Sequence, residues 1–391
     1  MTEPGETSFT RVAFTAALGA LALVGAIDAA YGPLLRPVTQ RFGVSLPVAG
    51  TLISINFAGG LTGVLCALAG FSRAPRRPIA TFALATLSLG CLTIAVARGW
   101  PALTAGVFLT GAGFGATDLS INQLGARTRA RGRAARLTLL NSSFGAGAVL
   151  GPAAVGLLGV RVLTLGFAVA AAAAVVMAVG VLGISTASPA GSEPERAASA
   201  AGGPARRKTG RPYRAVAVVG LAYLLYVGCE SGVAGWIPAQ LVALDYSARF
   251  ATAVTSGFWA AMTVGRLAAA PLSRVVASHR IVLVACLLLT LALALTAVPA
   301  VAPAGYVVAG CAAGPIFPIG LDWVAATFTG YRPATSWALT GAFAGGIVGP
   351  AAVAGAVSAV GLHTIPAVLT ALSGATFLAF LAVMKRAGGP W

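Results

Sequence analysis

Four acidic side chains stand where acidic side chains are rarely tolerated. Asp28, Asp118, Glu230 and Asp322 each lie inside a long apolar run. The segment "GFGATDLSINQ" (113–123) shows the pattern most fully. Gly111, Gly115, Asp118 and Asn122 recur at spacings of four, three and four, one face of a 3.6-residue helical period. Asp118 and Asn122 thus sit one turn apart, an acceptor beside an amide that both donates and accepts. Gly25, Asp28 and Gly32 repeat the arrangement in the first apolar run, and Tyr223, Tyr226 and Glu230 in the seventh. A low dielectric disfavours the charged form of any carboxylate. Such a group can therefore take up a proton in one exposure and release it in another. The same oxygens are also hard ligands for Na+, the less favoured coupling ion.

The elements that hold these residues follow from composition. Of 391 residues, 58% are hydrophobic and 9% charged, with a mean hydropathy of +0.90. A soluble domain carries roughly 25% charged residues, so this is a membrane protein. Apolar runs able to cross a bilayer, about 20 helical residues, occupy 13–35, 47–69, 78–97, 101–124, 138–159, 162–184, 214–240, 251–272, 280–299, 303–328, 335–357 and 364–384. Continuous rather than alternating hydrophobicity makes them helices, not barrel strands. The fold class is an all-α membrane protein of twelve transmembrane helices. The first run is too long for a signal-peptide core and is read as retained.

The net charge of +17 would point to nucleic acid in a soluble chain. Here it reads as an orientation signal. With the N-terminus cytoplasmic, all 26 basic residues but Arg36, Arg41, Arg98, Arg161 and Arg249 fall on the cytoplasmic side. Both termini are expected there, in a multi-pass protein of the plasma (inner) membrane that meets anionic lipids at its cytoplasmic face and binds no nucleic acid. The five cysteines carry no paired spacing and imply neither disulfide nor metal. His279 and His363 are isolated near helix ends, and no nucleophilic triad can be assembled, so no catalytic residue and no enzyme is expected.

Residues 185–213, rich in Pro, Gly, Ala and Ser, read as a cytoplasmic linker between six-helix halves at 1–184 and 214–391. The halves echo one another. "GLTGVLCALAGFSR" (60–73) lies over "AMTVGRLAAAPLSR" (261–274), and "GAVLGPAAVG" (147–156) over "GGIVGPAAVA" (345–354). Within this repeat Asp28 and Glu230 fall at near-equivalent positions. "GAGAVLG" (145–151) is not a dinucleotide fingerprint, since it follows no strand; small residues packing helices closely explain it.

Two such halves, each with a basic loop between its second and third helices, resemble the major facilitator superfamily of transporters. The resemblance implies a central site near the midplane, lined by the first, fourth, seventh and tenth helices, and alternating access by rocking of the halves. Those four helices are the ones that carry Asp28, Asp118, Glu230 and Asp322. More narrowly, "GFGATDLSINQ", "LNSSFGAGAVLGP" and "YVGCESGVAGWIP" are similar to the fucose–proton symporter family and its sodium–glucose relatives. That match puts Asp118 in place of the family's protonatable acid and Asn122 in place of its companion amide. Gly32 stands where that family's first-helix acid would align, and Gln123 where it has proline. "GAGAVLGP" also resembles the glycine–proline signature of proton-coupled drug exporters.

The expectation is a monomeric secondary transporter of a small polar, possibly sugar-like, solute, probably coupled by proton symport; an exporter working by proton antiport is the alternative. Asp118, Asp28 and Glu230 are the proton sites, and H+ stands where a cofactor would. Asn122, Asn141, Asn56, Tyr226, Trp236 and Gln240 are the solute contacts. Asp322 with Arg266 and Arg274 is a gating or structural ion pair, beside a helix that Pro315 and Pro318 interrupt. Each of these residues has a plainer reading as helix packing, interfacial anchor or internal hydrogen bond.

Overall fold

The computed structural model describes residues 7–71, 76–126, 133–186, 212–328 and 333–387. The first half holds α1 (Arg11–Phe42), α2 (Leu46–Phe71), α3 (Arg76–Val96), α4 (Trp100–Ala126), α5 (Arg133–Leu158) and α6 (Leu165–Val181). The second holds α7 (Pro212–Ala243), α8 (Ala248–Leu272), α9 (Ser278–Leu295), α10 (Ala302–Ala313), α11 (Ile316–Thr327), α12 (Pro333–Val360) and α13 (Ile365–Ala387). α10 and α11 are two pieces of one span, so twelve spans result. Much of the linker, and the arginine-rich stretch 127–132 with Arg332, lie outside the described residues.

Local chemistry sets the helix ends. Thr10 caps α1, its hydroxyl accepting from the Ala13 amide at 3.1 Å. Gly43 ends the same helix with φ 67°, a left-handed turn that glycine adopts without penalty, and returns its N–H to Thr39. The break in the tenth span falls at Gly314–Pro315, because proline offers no amide to continue the ladder. Pro318 is tolerated in the first turn of α11, where no such donor is needed. The expectation of all helix gains one addition. Thr7–Phe9 (β1) pairs antiparallel with Ile184–Thr186 (β2), clipping the chain before α1 to the end of α6.

Small residues bring the helices of each half together in matching pairs. A methyl group at Gly115 would run into the Gly60 carbonyl across α4 and α2, and one at Gly310 into the Phe258 carbonyl across α10 and α8. Gly147 and Gly151 press on α1, as Gly345 and Gly349 press on α7, which is the close packing the "GAVLGP" and "GGIVGP" repeats announce. Between the halves, α2 packs on α12 and α5 on α8, a pseudo-twofold exchange. The end of the molecule reached by Phe42 and Ala243, here the far end, is sealed by α1 against α7. Gly32 abuts the Ala234 carbonyl, and Trp236 covers Gly50. The opposite end, where α1 begins and α6 and α13 finish, is the linker end.

Candidate functional site

Beneath the far-end seal, α1, α2, α7 and α8 enclose about 400 Å³ of non-atom space, open solvent included. Asp28, Tyr31, Phe57, Glu230, Ser231 and Trp259 line it, with Ile53, Val227 and Ala234. Asp28 accepts a hydrogen bond from the Asn56 side-chain amide at 3.1 Å. Glu230 lies within electrostatic reach of Asp28, and of Arg266 on α8. The two carboxylates predicted as repeat equivalents therefore meet in one cavity, one from each half. An apolar wall separates them from bulk water, so their mutual repulsion is poorly screened.

Asp118 stands apart from this pair. It accepts from Asn122 Nδ2 at 3.0 Å, and Asn141 Nδ2 reaches Asn122 Oδ1 at 3.4 Å while donating to the Leu137 carbonyl at 2.8 Å. α4 and α5 of one half thus hold a polar ladder, with Asp118 and Asn122 half-buried and Asn141 exposed. Gly111 and Gly115 on the same helix serve α2 packing rather than a ligand.

Other expected contacts are spent inside the second half. Gln240 is buried, donates to the Thr296 carbonyl at 2.9 Å and accepts from the Tyr306 hydroxyl. The Tyr226 hydroxyl donates to the Ala313 carbonyl at 2.9 Å, although the residue stays close enough to Glu230 to interact with it. Trp236 is fully buried in the seal, its indole N–H without a partner. The gating set is not assembled as a unit. Arg266 faces Glu230 and donates to the Met262 sulfur at 3.2 Å, its Nε buried without a partner. Asp322 and Arg274 are exposed, and the charge of Asp322 is felt by Tyr223. The break at Gly314–Pro315 precedes Asp322 by nearly two turns and turns α11 independently of α10.

Trp259 and Phe57 are the cavity residues that sequence reasoning passed over. A signal existed for the first. Trp259, Met262 and Arg266 recur at three and four, one helical face that ends in a charge. Toward the far end, a second space is lined by Arg36, Gln40, Arg249 and Thr252.

Comparison with known proteins fits this architecture. No curated protein sequence matches the chain. Solved structures do. A peptide transporter, POT, in complex with sulfate aligns with a TM-score of 0.76 at 14% identity, over 96% of this chain and 94% of that one. A D-xylose–proton symporter aligns at 0.72 and 14%, over 97% and 98%. FucP, a transporter in the outward conformation, aligns at 0.64 and 16%, over 95% and 98%. At such identities the likeness is one of fold. The sequence model described as Major Facilitator Superfamily matches residues 17–328. A multi-pass membrane protein of two pseudo-symmetric six-helix bundles, matched by that model over most of its length, this chain belongs to the major facilitator superfamily of transporters.

Proposed function

We propose that the chain is a proton-coupled secondary transporter of a small polar solute, working by alternating access in the plasma (inner) membrane with both termini cytoplasmic. The observation that carries this reading is the meeting of Asp28 and Glu230, repeat equivalents on opposite halves, in the cavity below the seal. Rocking the halves changes the separation and hydration of the two groups. Two ionised carboxylates in that space repel, so closure over them favours a proton on one. Proton occupancy and conformation are thereby linked. The proton supplies the coupling with no other cofactor, and Na+ is the lesser candidate.

Asp118 has a different geometry. Its partner Asn122 lies one turn along the same helix, so rocking leaves the pair intact. Its place is in solute contact, with Asn122 and Asn141, on the part of the path that lies within one half. Uptake with the proton is the direction favoured by the amides of this ladder. Exchange against protons is favoured by the acidic, aromatic cavity.

Proteoliposomes loaded with a pH dye test the reading. Solute-linked proton movement in the wild type should vanish in Asp28→Asn and in Glu230→Gln. In Asp118→Asn it should persist, while apparent solute affinity falls by about tenfold or more, as expected for losing a charged hydrogen bond of about 1.5–3 kcal/mol. Coupling that survives both pair variants and is lost in Asp118→Asn moves the proton site to α4.

A further inference from the structure

The charges around the central cavity do not cancel. Asp28 on α1 and Glu230 on α7 face one cation, Arg266 on α8, and with all three ionised the site carries one net negative charge. The other groups facing the pair are neutral hydrogen-bonding ones: Asn56 of α2 on Asp28, Tyr31 on the same helix, and Tyr226 and Cys229 beside Glu230. A net charge at this depth is costly unless something neutralises it. One proton does so, and so does one monovalent cation.

The walls say which kind of cation fits. Phe57, Trp259, Tyr31, Ile53 and Val227 give the cavity an aromatic and aliphatic lining. Aromatic rings attract cations that have lost their water. The Trp259 indole N–H is buried with no partner, leaving one donor for an acceptor on the ligand. Neutral polyols would find little else to bond. Asn56 is engaged with Asp28, Ser231 Oγ donates to the Val227 carbonyl at 2.7 Å, and Gln240 is sealed elsewhere.

We propose that the transported solute is a monovalent organic cation with a compact apolar body, exchanged one for one against a proton at Asp28–Glu230. The proposal rests on the reading of that pair as the proton site. No covalent bond to carbon changes. The entering cation ion-pairs with a carboxylate, the O–H proton passes to water on the side to which the cavity is open, and reprotonation on the other side follows release of the cation. One positive charge moves each way, so the cycle is electroneutral.

The full-length purified chain is titrated with benzyltrimethylammonium, with benzyl alcohol as a neutral compound of related shape, and with D-xylose. Calorimetry in two buffers of different ionisation enthalpy counts the protons released. The expected result is one proton per bound cation and binding at least about tenfold tighter than for either neutral compound. In proteoliposomes, cation flux should follow the pH difference and ignore an imposed potassium diffusion potential. Neutral compounds binding as tightly as the cation, cation binding without proton release, no cation binding at millimolar concentration, or flux that follows the potential would each overturn the proposal. The ligand comparison uses the wild-type chain, so it does not depend on a variant folding. Arg266→Gln adds a charge-specific readout: with the site one charge more negative, release should rise toward two protons and a dication should gain relative to the monocation. If Asp28→Asn and Glu230→Gln leave solute-linked proton flux intact, the underlying reading fails; if they abolish it but the coupled solute is neutral, only the substrate class fails.

Discussion

Adding one methyl group at the far-end seal should change which side of the membrane sees the cavity. At Gly32 the new carbon would collide with the Ala234 carbonyl and lie 3.0 Å from both the Cα and the carbonyl oxygen of Gly235. All three atoms belong to the backbone of α7, so no side chain can rotate away. Overpacking of this kind costs about 1–3 kcal/mol. The contact joins the two halves, so the cost falls on the sealed arrangement and not on one opened at the far end. The ratio of sealed to opened molecules should drop by about 5- to 150-fold, at about 1.4 kcal/mol per tenfold. A cysteine at Ser231, which lines the cavity and is buried below the seal, reports the change through its reaction rate with an impermeant reagent applied from the far end. The native cysteines are first replaced, since Cys66 and Cys311 are exposed. Gly32→Ala should accelerate labelling by that range. Gly111→Ala, which strains α4 against the Asn56 carbonyl within one half, should lower thermal stability with no such acceleration. Equal labelling rates in Gly32→Ala and the parent, with both folded, would refute the assignment of this contact as the seal.

Three further outcomes follow from particular contacts. Gln240→Ala removes the Thr296 and Tyr306 hydrogen bonds and leaves a buried hydroxyl without its partner, so stability should fall by about 1–3 kcal/mol in denaturation assays while solute preference stays as in the wild type. Ser273→Cys at the linker end and Ala248→Cys at the far end, both exposed, should label only from the cytoplasm and only from outside, respectively; in intact cells the reverse pattern would invert the proposed topology. Arg36→Gln and Arg249→Gln reduce positive charge around the far-end space, so cation entry from that side should speed up at low ionic strength, and the gain should shrink with added salt as the charges are screened.

Membrane class, span number and the division into two halves were legible in one dimension, because the bilayer demands continuous apolar helices and a duplicated sequence must bury duplicated surfaces. The glycine runs at 147–151 and 345–349 announced close packing for the same reason: only residues without side chains let backbones touch. The pairing of Asp28 with Glu230 was visible as equivalence in the repeat, but not as contact. Repeat position states that two residues occupy corresponding places in their halves, and only the crossing of α1 and α7 turns correspondence into proximity. Arg266 illustrates the limit best. Its place in the chain, close to Arg274 at the end of α8, assigned it to the linker-end cluster with Asp322, whereas the packing of α8 against α7 directs its charge to Glu230. Gln240 failed in the opposite sense, for its amide looked available until Thr296 and Tyr306 folded onto it. Helical periodicity tells which residues share a face of one helix, while the partner of that face is chosen by the tertiary arrangement, and with it the balance of charge on which the site's chemistry depends.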